Sequence, residues 1–185
     1  MIYVIDHEDS FTYNLVHLLE GFAPTYVSNY YDINWHQLEK SKIIIFSPGP
    51  GNPSHYPETQ TIYKKYKGNK KIIGICLGFQ QILYAENASI VPQKKIYHGY
   101  QSKVKALKES ALFKANKVFL AGRYHSLKLK EPFNSLSLKI TMRCVESNVA
   151  MAIEDTINNV YGFQFHPDSF LTVDGKFLIQ KVLQF

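Results

Sequence analysis

The chain has 185 residues, of which 45% are hydrophobic and 19% are charged, a composition typical of a globular protein large enough for one core. No apolar run is long enough to span a bilayer and no basic segment precedes the first one, which excludes membrane and secreted classes, so we expect a cytoplasmic protein. The net charge of +6 suggests nucleic acid as a partner. However, all 21 basic residues except Arg123 and Arg143 are lysines, and they are scattered, which favours a solvated surface and no nucleic-acid partner.

Cysteine and histidine usage limits the kinds of site that the chain can carry. The two cysteines, Cys76 and Cys144, are too few for a disulfide scaffold. Neither belongs to a CxxC pair, and the seven histidines form no HExxH motif, so we expect neither a metal nor a cofactor. Cys144 lies within an apolar strand pattern and is interpreted as a core side chain.

The first 90 residues alternate strand and helix patterns, which favours a parallel sheet flanked by helices. A helix after the first strand has apolar positions at helical spacing and Asp9 or Ser10 as its predicted cap. The predicted strands are Ile2–Asp6, Thr25–Ser28, Lys42–Ser47 and Lys71–Ile75, and two further helices are predicted at 57–67 and 77–85.

From Ala88 onward the strand-like segments are shorter and no linker separates them from the first half. We therefore expect antiparallel additions to the same sheet, a closing helix at 174–183, and a single domain over residues 1–185. The predicted fold class is α/β, a mostly parallel open sheet flanked by helices with antiparallel additions in the C-terminal half. The predicted additions are Ser102–Leu107, Lys117–Ala121, Leu136–Val145, Ala150–Glu154 and Val160–His166.

The segment Gly74–Gly78 (GICLG) follows the fourth predicted strand. It has the spacing of a sharp strand-to-helix turn that exposes a nucleophile, with Cys76 in the central position. A thiolate there would lie at a helix N-terminus, whose dipole favours the ionised form. The alternative is a buried core cysteine next to glycines that serve a tight turn.

A second candidate segment, Gln164–Asp168 (QFHPD), ends the last predicted strand. Side chains at i and i+2 of an extended segment point to the same side, so Asp168 can hold one nitrogen of His166 and leave the other free as a base. The alternative is a surface turn with an incidental histidine.

The Pro- and Gly-rich segment Ser47–Pro53 (SPGPGNP) follows the third predicted strand. The backbone N–H groups of Gly51 and Leu77 could form an oxyanion hole, and the segment can equally be a turn from strand to helix. A cysteine turn, a later His-x-Asp and a Gly-rich loop together form a nucleophile, base and anion-binding set, which points to acyl transfer.

These residues resemble the class I, triad-type glutamine amidotransferases, and most closely the amidotransferase components of anthranilate synthase and aminodeoxychorismate (para-aminobenzoate) synthase. The similarity runs nearly end to end. The matching segments, in the family's order, are Asp9–Leu15, Ser47–Pro53, Gly74–Gly78 with Gln80, His98-Gly99, Arg123–Leu127 and Gly162–Ser169.

The resemblance implies that Cys76 is the nucleophile, His166 the base and Asp168 the orienting acid. It implies further pocket residues: Gly49, Pro50 and Gly51 on the oxyanion side, with Gln80 and the backbone of Ser126 and Leu127 holding the glutamine backbone groups. The chain departs from the family at two positions, with Asp168 where Glu is usual and Phe79 where His is frequent.

The implied reaction is hydrolysis of L-glutamine to glutamate through a Cys76 thioester, with delivery of ammonia to a chorismate-binding synthase subunit in trans. Ser10, Tyr13 and His98 are the candidate contact residues for that partner. The alternatives are a free-standing γ-glutamyl thiol hydrolase and a catalytically impaired binding subunit of the synthase. The residues leave open whether the pathway is that of tryptophan or of folate.

Overall fold

The computed structural model describes residues 1–184, in which no helix is long and apolar enough to cross a bilayer. The strands are β1 (Ile2–Asp6), β2 (Thr25–Asn29), β3 (Ile43–Phe46), β4 (Lys71–Ile75), β5 (Ile90–Pro92), β6 (Tyr100–Ala106), β7 (Val118–Arg123), β8 (Leu127–Leu129), β9 (Lys139–Cys144), β10 (Ala150–Asp155) and β11 (Val160–Phe163). The helices are α1 (Thr12–Glu20), α2 (Trp35–Lys40), α3 (Pro57–Tyr66), α4 (Leu77–Ala85) and α5 (Gly175–Gln184), with a 3-10 turn at Pro53–His55.

Nine strands form one sheet in the order β2-β1-β3-β4-β11-β10-β9-β6-β7. The first five are parallel to one another, and each later pair is antiparallel. A separate antiparallel pair consists of β5 and β8. The predicted α/β class, a largely parallel sheet with antiparallel additions, is confirmed.

Helices cover both faces of the parallel strands because those strands are apolar on both sides. On one face, α1 and α5 pack their apolar stripes against Ile45 and Ile73. On the other face, α3 and α4 pack against Ile44 and Ile72. This arrangement aligns the carboxyl ends of β1, β3, β4 and β11 along one edge, where the connecting loops meet.

The structure corrects three details of the prediction. Val160–Phe163 is parallel to β4 as well as antiparallel to β10, so it belongs to the parallel part of the sheet. Helix α1 begins at Thr12 without a side-chain cap, and the Asp9 carboxylate instead accepts a hydrogen bond from Phe11 N–H in the preceding turn. Helix α2 was not predicted, because its six residues bury only Leu38 and carry no periodic signal.

Candidate active site

The candidate nucleophile, Cys76, lies at the junction between β4 and α4. Its φ of 53° is in the left-handed region, which non-glycine residues adopt only when the surrounding structure imposes it. The backbone N–H of Cys76 donates to the carbonyl of Phe163 in β11. The side chain is 7% exposed and stands as the N-cap residue of α4.

Two glycines make this turn possible, as the sequence pattern predicts. A Cβ atom on Gly74 would lie 2.3 Å from the carbonyl oxygen of Gly78, and one on Gly78 would lie 2.1 Å from that of Phe46. Both distances are far shorter than a van der Waals contact. The atoms that would clash belong to the backbone, so they cannot move aside as a flexible side chain could. The GxCxG spacing is therefore a steric requirement of bringing α4 against β3 and β4.

The candidate base, His166, follows β11, which is the direct neighbour of β4 in the sheet. Its N–H donates to the carbonyl of Gly122, which fixes the backbone beyond the strand end. Asp168 Oδ2 lies 3.7 Å from His166 Nδ1, and both side chains are buried. That separation exceeds a hydrogen bond, and within residues 1–184 neither His166 Nδ1 nor either carboxylate oxygen of Asp168 has a hydrogen-bond partner.

The charge balance around His166 is unusual for a buried imidazole. Burial alone lowers its pKa, but the adjacent Cys76 thiolate and the Asp168 carboxylate outweigh burial and raise the pKa of His166 to about 10. At neutral pH the ring is then an imidazolium. An imidazolium beside the candidate nucleophile can donate its proton to a leaving group.

A cavity of about 220 Å³ opens onto Cys76 at this edge of the sheet. All seven residues predicted to bind substrate line it, together with Asp9, Tyr124 and His125. The predicted seven are Gly49, Pro50, Gly51, Leu77, Gln80, Ser126 and Leu127. The structure thus brings together three segments that are distant in the sequence, at residues 49–51, 77–80 and 126–127.

His7, which follows β1, anchors the Pro- and Gly-rich loop Ser47–Pro53 after β3. His7 is fully buried, and its ring nitrogens pair with Ser47 Oγ (3.2 Å) and Thr59 Oγ1 (2.9 Å). Burial lowers the pKa of His7 to about 3, so the ring is neutral. The loop is therefore anchored by neutral hydrogen bonds and carries no extra charge.

The comparisons with known proteins agree with this geometry. The profile of the class-I glutamine amidotransferases matches residues 3–184. The chain belongs to this family.

This glutamine amidotransferase is 36% identical to the anthranilate synthase component 2 of Lactococcus lactis over 182 residues, covering 97% of the chain and 92% of that relative. It is 35% identical to the protein of the same name from Cyanidium caldarium, covering 99% of the chain and 97% of the relative. Among solved structures, a glutamine amidotransferase from Thermotoga maritima superposes with a TM-score of 0.74 at 14% identity, covering 99% of the chain and 96% of that structure. The structural likeness concerns the fold.

Sequence reasoning does not single out Gln164, which the amidotransferase buries beside Cys76, the candidate nucleophile. Its Nε2 lies 3.8 Å from Cys76 Sγ, and its Oε1 accepts a hydrogen bond of 2.9 Å from Gln80 Nε2. Gln80 Nε2 also lies 3.4 Å from the carbonyl oxygen of Leu127. Gln164 precedes His166 by two residues on an extended segment, so the same i, i+2 rule that linked His166 to Asp168 could have identified it.

An aromatic cover separates His166 from the surface that carries the predicted partner contacts. The rings of Phe11 and Tyr124 lie 5.1 Å and 5.0 Å from the His166 ring, and 4.7 Å from each other. His98 is exposed and lies 6.1 Å from Tyr124, and Tyr13 is 70% exposed on the first turn of α1. Ser10, also exposed, precedes Phe11 directly. His98 therefore borders this cover, and Ser10 and Tyr13 lie within two residues of Phe11 along the chain.

Proposed function

We propose that this amidotransferase hydrolyses L-glutamine through a Cys76 thioester and supplies ammonia to a chorismate-binding synthase subunit. The observation that carries the proposal is the Cys76 turn beside His166 at the mouth of a cavity, in a chain that is 36% identical to an anthranilate synthase component 2. Under this proposal the protein is one domain of a cytoplasmic heteromer with lyase activity. Tryptophan synthesis follows from the relatives' names, and folate synthesis is the alternative destination.

The first half-reaction forms the thioester. The Cys76 thiolate attacks the side-chain amide carbon of glutamine, and the negative charge that develops on oxygen is stabilised by the N–H groups of Gly51 and Leu77. The His166 imidazolium then gives its proton to the amide nitrogen, the C–N bond breaks, and ammonia leaves. The raised pKa of His166 keeps this proton in place at neutral pH until the leaving nitrogen accepts it.

The second half-reaction releases glutamate. Neutral His166 takes a proton from water as the oxygen attacks the thioester carbon, and collapse of the tetrahedral intermediate breaks the C–S bond. Cys76 returns as the thiolate and His166 as the imidazolium. Asp168 keeps the ring oriented through its charge, since its oxygen is 3.7 Å from the ring nitrogen.

The remaining cavity residues fix the substrate. Gln80 and the backbone of Ser126 and Leu127 face the glutamine backbone groups, while Gly49 and Pro50 shape the oxyanion side. Free ammonia is mostly protonated in neutral water and is then not a nucleophile. A partner that receives it directly is therefore physically sensible, and the contact surface proposed for it is that of Ser10, Tyr13 and His98.

The test is glutamine hydrolysis to glutamate by the purified chain and by Cys76→Ser, each with and without a chorismate-binding synthase. We expect Cys76→Ser to lose at least about a thousandfold in kcat, and the wild-type rate to rise when the synthase is added. Cys76-dependent hydrolysis that no synthase changes would instead identify a free-standing hydrolase.

The Asp168 carboxylate makes no hydrogen bond within residues 1–184, which favours one second candidate, a binding subunit with an impaired triad. Such a subunit would bind the synthase but would not be labelled at Cys76 by an electrophilic glutamine analogue. Covalent labelling of the wild type, lost in Cys76→Ser, would exclude it.

A further inference from the structure

The guanidinium of Arg123 is buried behind the pocket without an acidic side chain beside it. Arg123 ends β7 with 0% exposure and takes part in none of the salt bridges formed within residues 1–184. Its guanidinium carbon lies 3.4 Å from the centre of the Tyr97 ring. A buried charge without a counter-charge costs several kcal/mol. The more distant charge of Glu146 also acts on it, but that residue lies in an exposed turn.

Two side chains face the outer nitrogens of the guanidinium: Gln93, whose Oε1 accepts from Nη2 at 3.4 Å, and Cys144, whose thiol lies next to Nη1. Cys144 ends β9, is 1% exposed, and its Sγ lies 3.5 Å from Arg123 Nη1. Burial opposes ionisation of the thiol, but hydrogen bonds from Ser147 and from the Glu146 backbone, together with the charge of Arg123, outweigh it and lower the pKa of Cys144. A sulfur surrounded by donors and one cation is in the environment of a thiolate, not of an inert core thiol.

Arg123 connects this sulfur to the wall of the pocket. Its Nε–H donates to His125 Nε2 at 3.0 Å, which leaves the proton of the neutral ring on Nδ1. His125 Nδ1 in turn donates to the carbonyl oxygen of Leu127 at 2.8 Å. Burial, and then the charge of Arg123, lower the pKa of His125 to about 3. The ring is therefore neutral, and its Nε2 can accept the hydrogen bond from Arg123.

We propose that Cys144 is a positioning residue of the amidotransferase: as a thiolate it is the counter-ion of Arg123, and through Arg123 and His125 it fixes the Leu127 carbonyl at the wall of the glutamine pocket. Cys144 touches no substrate, and the inference rests on the proposed glutamine site. Without the negative sulfur, the guanidinium loses its charge partner and the hydrogen bond that orients the 124–127 loop weakens. Substrate binding is then affected more than the chemical steps at Cys76.

The kinetic test compares Cys144→Ser, which keeps the size but stays neutral, with Cys144→Asp, which restores a negative charge. For hydrolysis by the full chain, we expect Cys144→Ser to raise KM for glutamine about tenfold with kcat changed less than about twofold, the size of one lost charge-assisted hydrogen bond. Cys144→Asp should recover most of the loss. An unchanged KM in Cys144→Ser, or equal defects in both variants, would overturn the proposal, because a merely structural role predicts no rescue by charge.

A second measurement decides the charge of the sulfur without any activity. The chain has two cysteines, so Cys144 is the only thiol left in Cys76→Ser. We expect ultraviolet thiolate absorbance in Cys76→Ser at neutral pH that is missing from the Cys76→Ser, Cys144→Ser double variant. Absence of this absorbance would refute the ion pair. If the wild type hydrolyses no glutamine, the proposed function fails while this measurement still decides the state of Cys144.

Discussion

Asp168, the candidate orienting acid, is buried with no hydrogen-bond partner for either carboxylate oxygen within residues 1–184. Asp168 Oδ2 lies 3.7 Å from His166 Nδ1, whereas a charge-assisted hydrogen bond needs a distance of about 2.8 Å. One more methylene extends a carboxylate by about 1.3 Å, so Asp168→Glu can close the gap. We expect Asp168→Glu to raise kcat/KM for glutamine hydrolysis about tenfold, the value of one hydrogen bond to a charged group. Steady-state kinetics of the purified variant measure this directly.

Asp168→Asn is the matched control, since it keeps the shape and removes the charge. It should lower kcat about tenfold through loss of the charge that orients His166. The urea midpoint should change little, because removal of a buried carboxylate that makes no hydrogen bond within residues 1–184 offsets the lost attraction between this carboxylate and the His166 imidazolium. Equal rates for the wild type, Asp168→Glu and Asp168→Asn would show that Asp168 does not orient the base.

At the scale of elements, the position of α4 depends on the absence of two Cβ atoms. In Gly78→Ala the new atom would stand 2.1 Å from the Phe46 carbonyl, so α4 must move away from β3. We expect a loss of about 3 kcal/mol in the free energy of unfolding and loss of glutamine hydrolysis. Gly21→Ala, at the end of α1, is the control, because its Cβ would be 3.4 Å from the nearest atom. Urea unfolding that places both variants at the wild-type midpoint would disprove the steric explanation of the turn.

His7, which follows β1 and contacts Ser47 in the loop after β3, makes the free energy of unfolding depend on pH in the acid range. The pKa of His7 falls from 6.5 to about 3 on folding because the ring is buried, so below pH 6.5 the unfolded chain binds a proton that the folded chain does not. The contribution of His7 to stability is complete above pH 6.5 and is lost progressively as the pH falls towards 3. We expect His7→Gln to reduce the slope of unfolding free energy against pH in this window by up to about 1.4 kcal/mol per pH unit.

Urea unfolding at several pH values checks this expectation. The slope does not vanish in His7→Gln, since His125 is buried neutral in the same way. The exposed change His36→Gln is the control. If both variants show the same slope as the wild type, the neutral state of His7 is not a source of the acid sensitivity.

At the scale of the whole molecule, the sequence predicts those features of the fold that depend on a local residue pattern, such as buried strands. The runs at Ile43–Phe46 and Lys71–Ile75 are apolar on both faces, and they are buried parallel strands as expected. The four residues of β11 carry no signal for strand direction, because that direction is decided by a partner almost 90 residues away. The interpretation of Cys144 as a core side chain is confirmed, since it is 1% exposed within the core. Its contact with Arg123, 21 positions earlier in the chain, is beyond the reach of periodicity.

The last prediction concerns assembly of the whole protein with the synthase subunit proposed as its partner. The catalytic edge of the sheet presents Tyr13 and His98 around the aromatic cover of His166, while Ile157, 81% exposed, lies in the β10–β11 turn at the opposite edge. We expect Tyr13→Ala and His98→Ala each to weaken synthase binding about tenfold, since exposed aromatic side chains dominate interface energies. Titration of labelled amidotransferase with synthase measures the affinity. Ile157→Ala removes a comparable apolar side chain and should leave the affinity unchanged. An equal loss from Ile157→Ala, or none from the other two, would move the docking surface away from the catalytic edge.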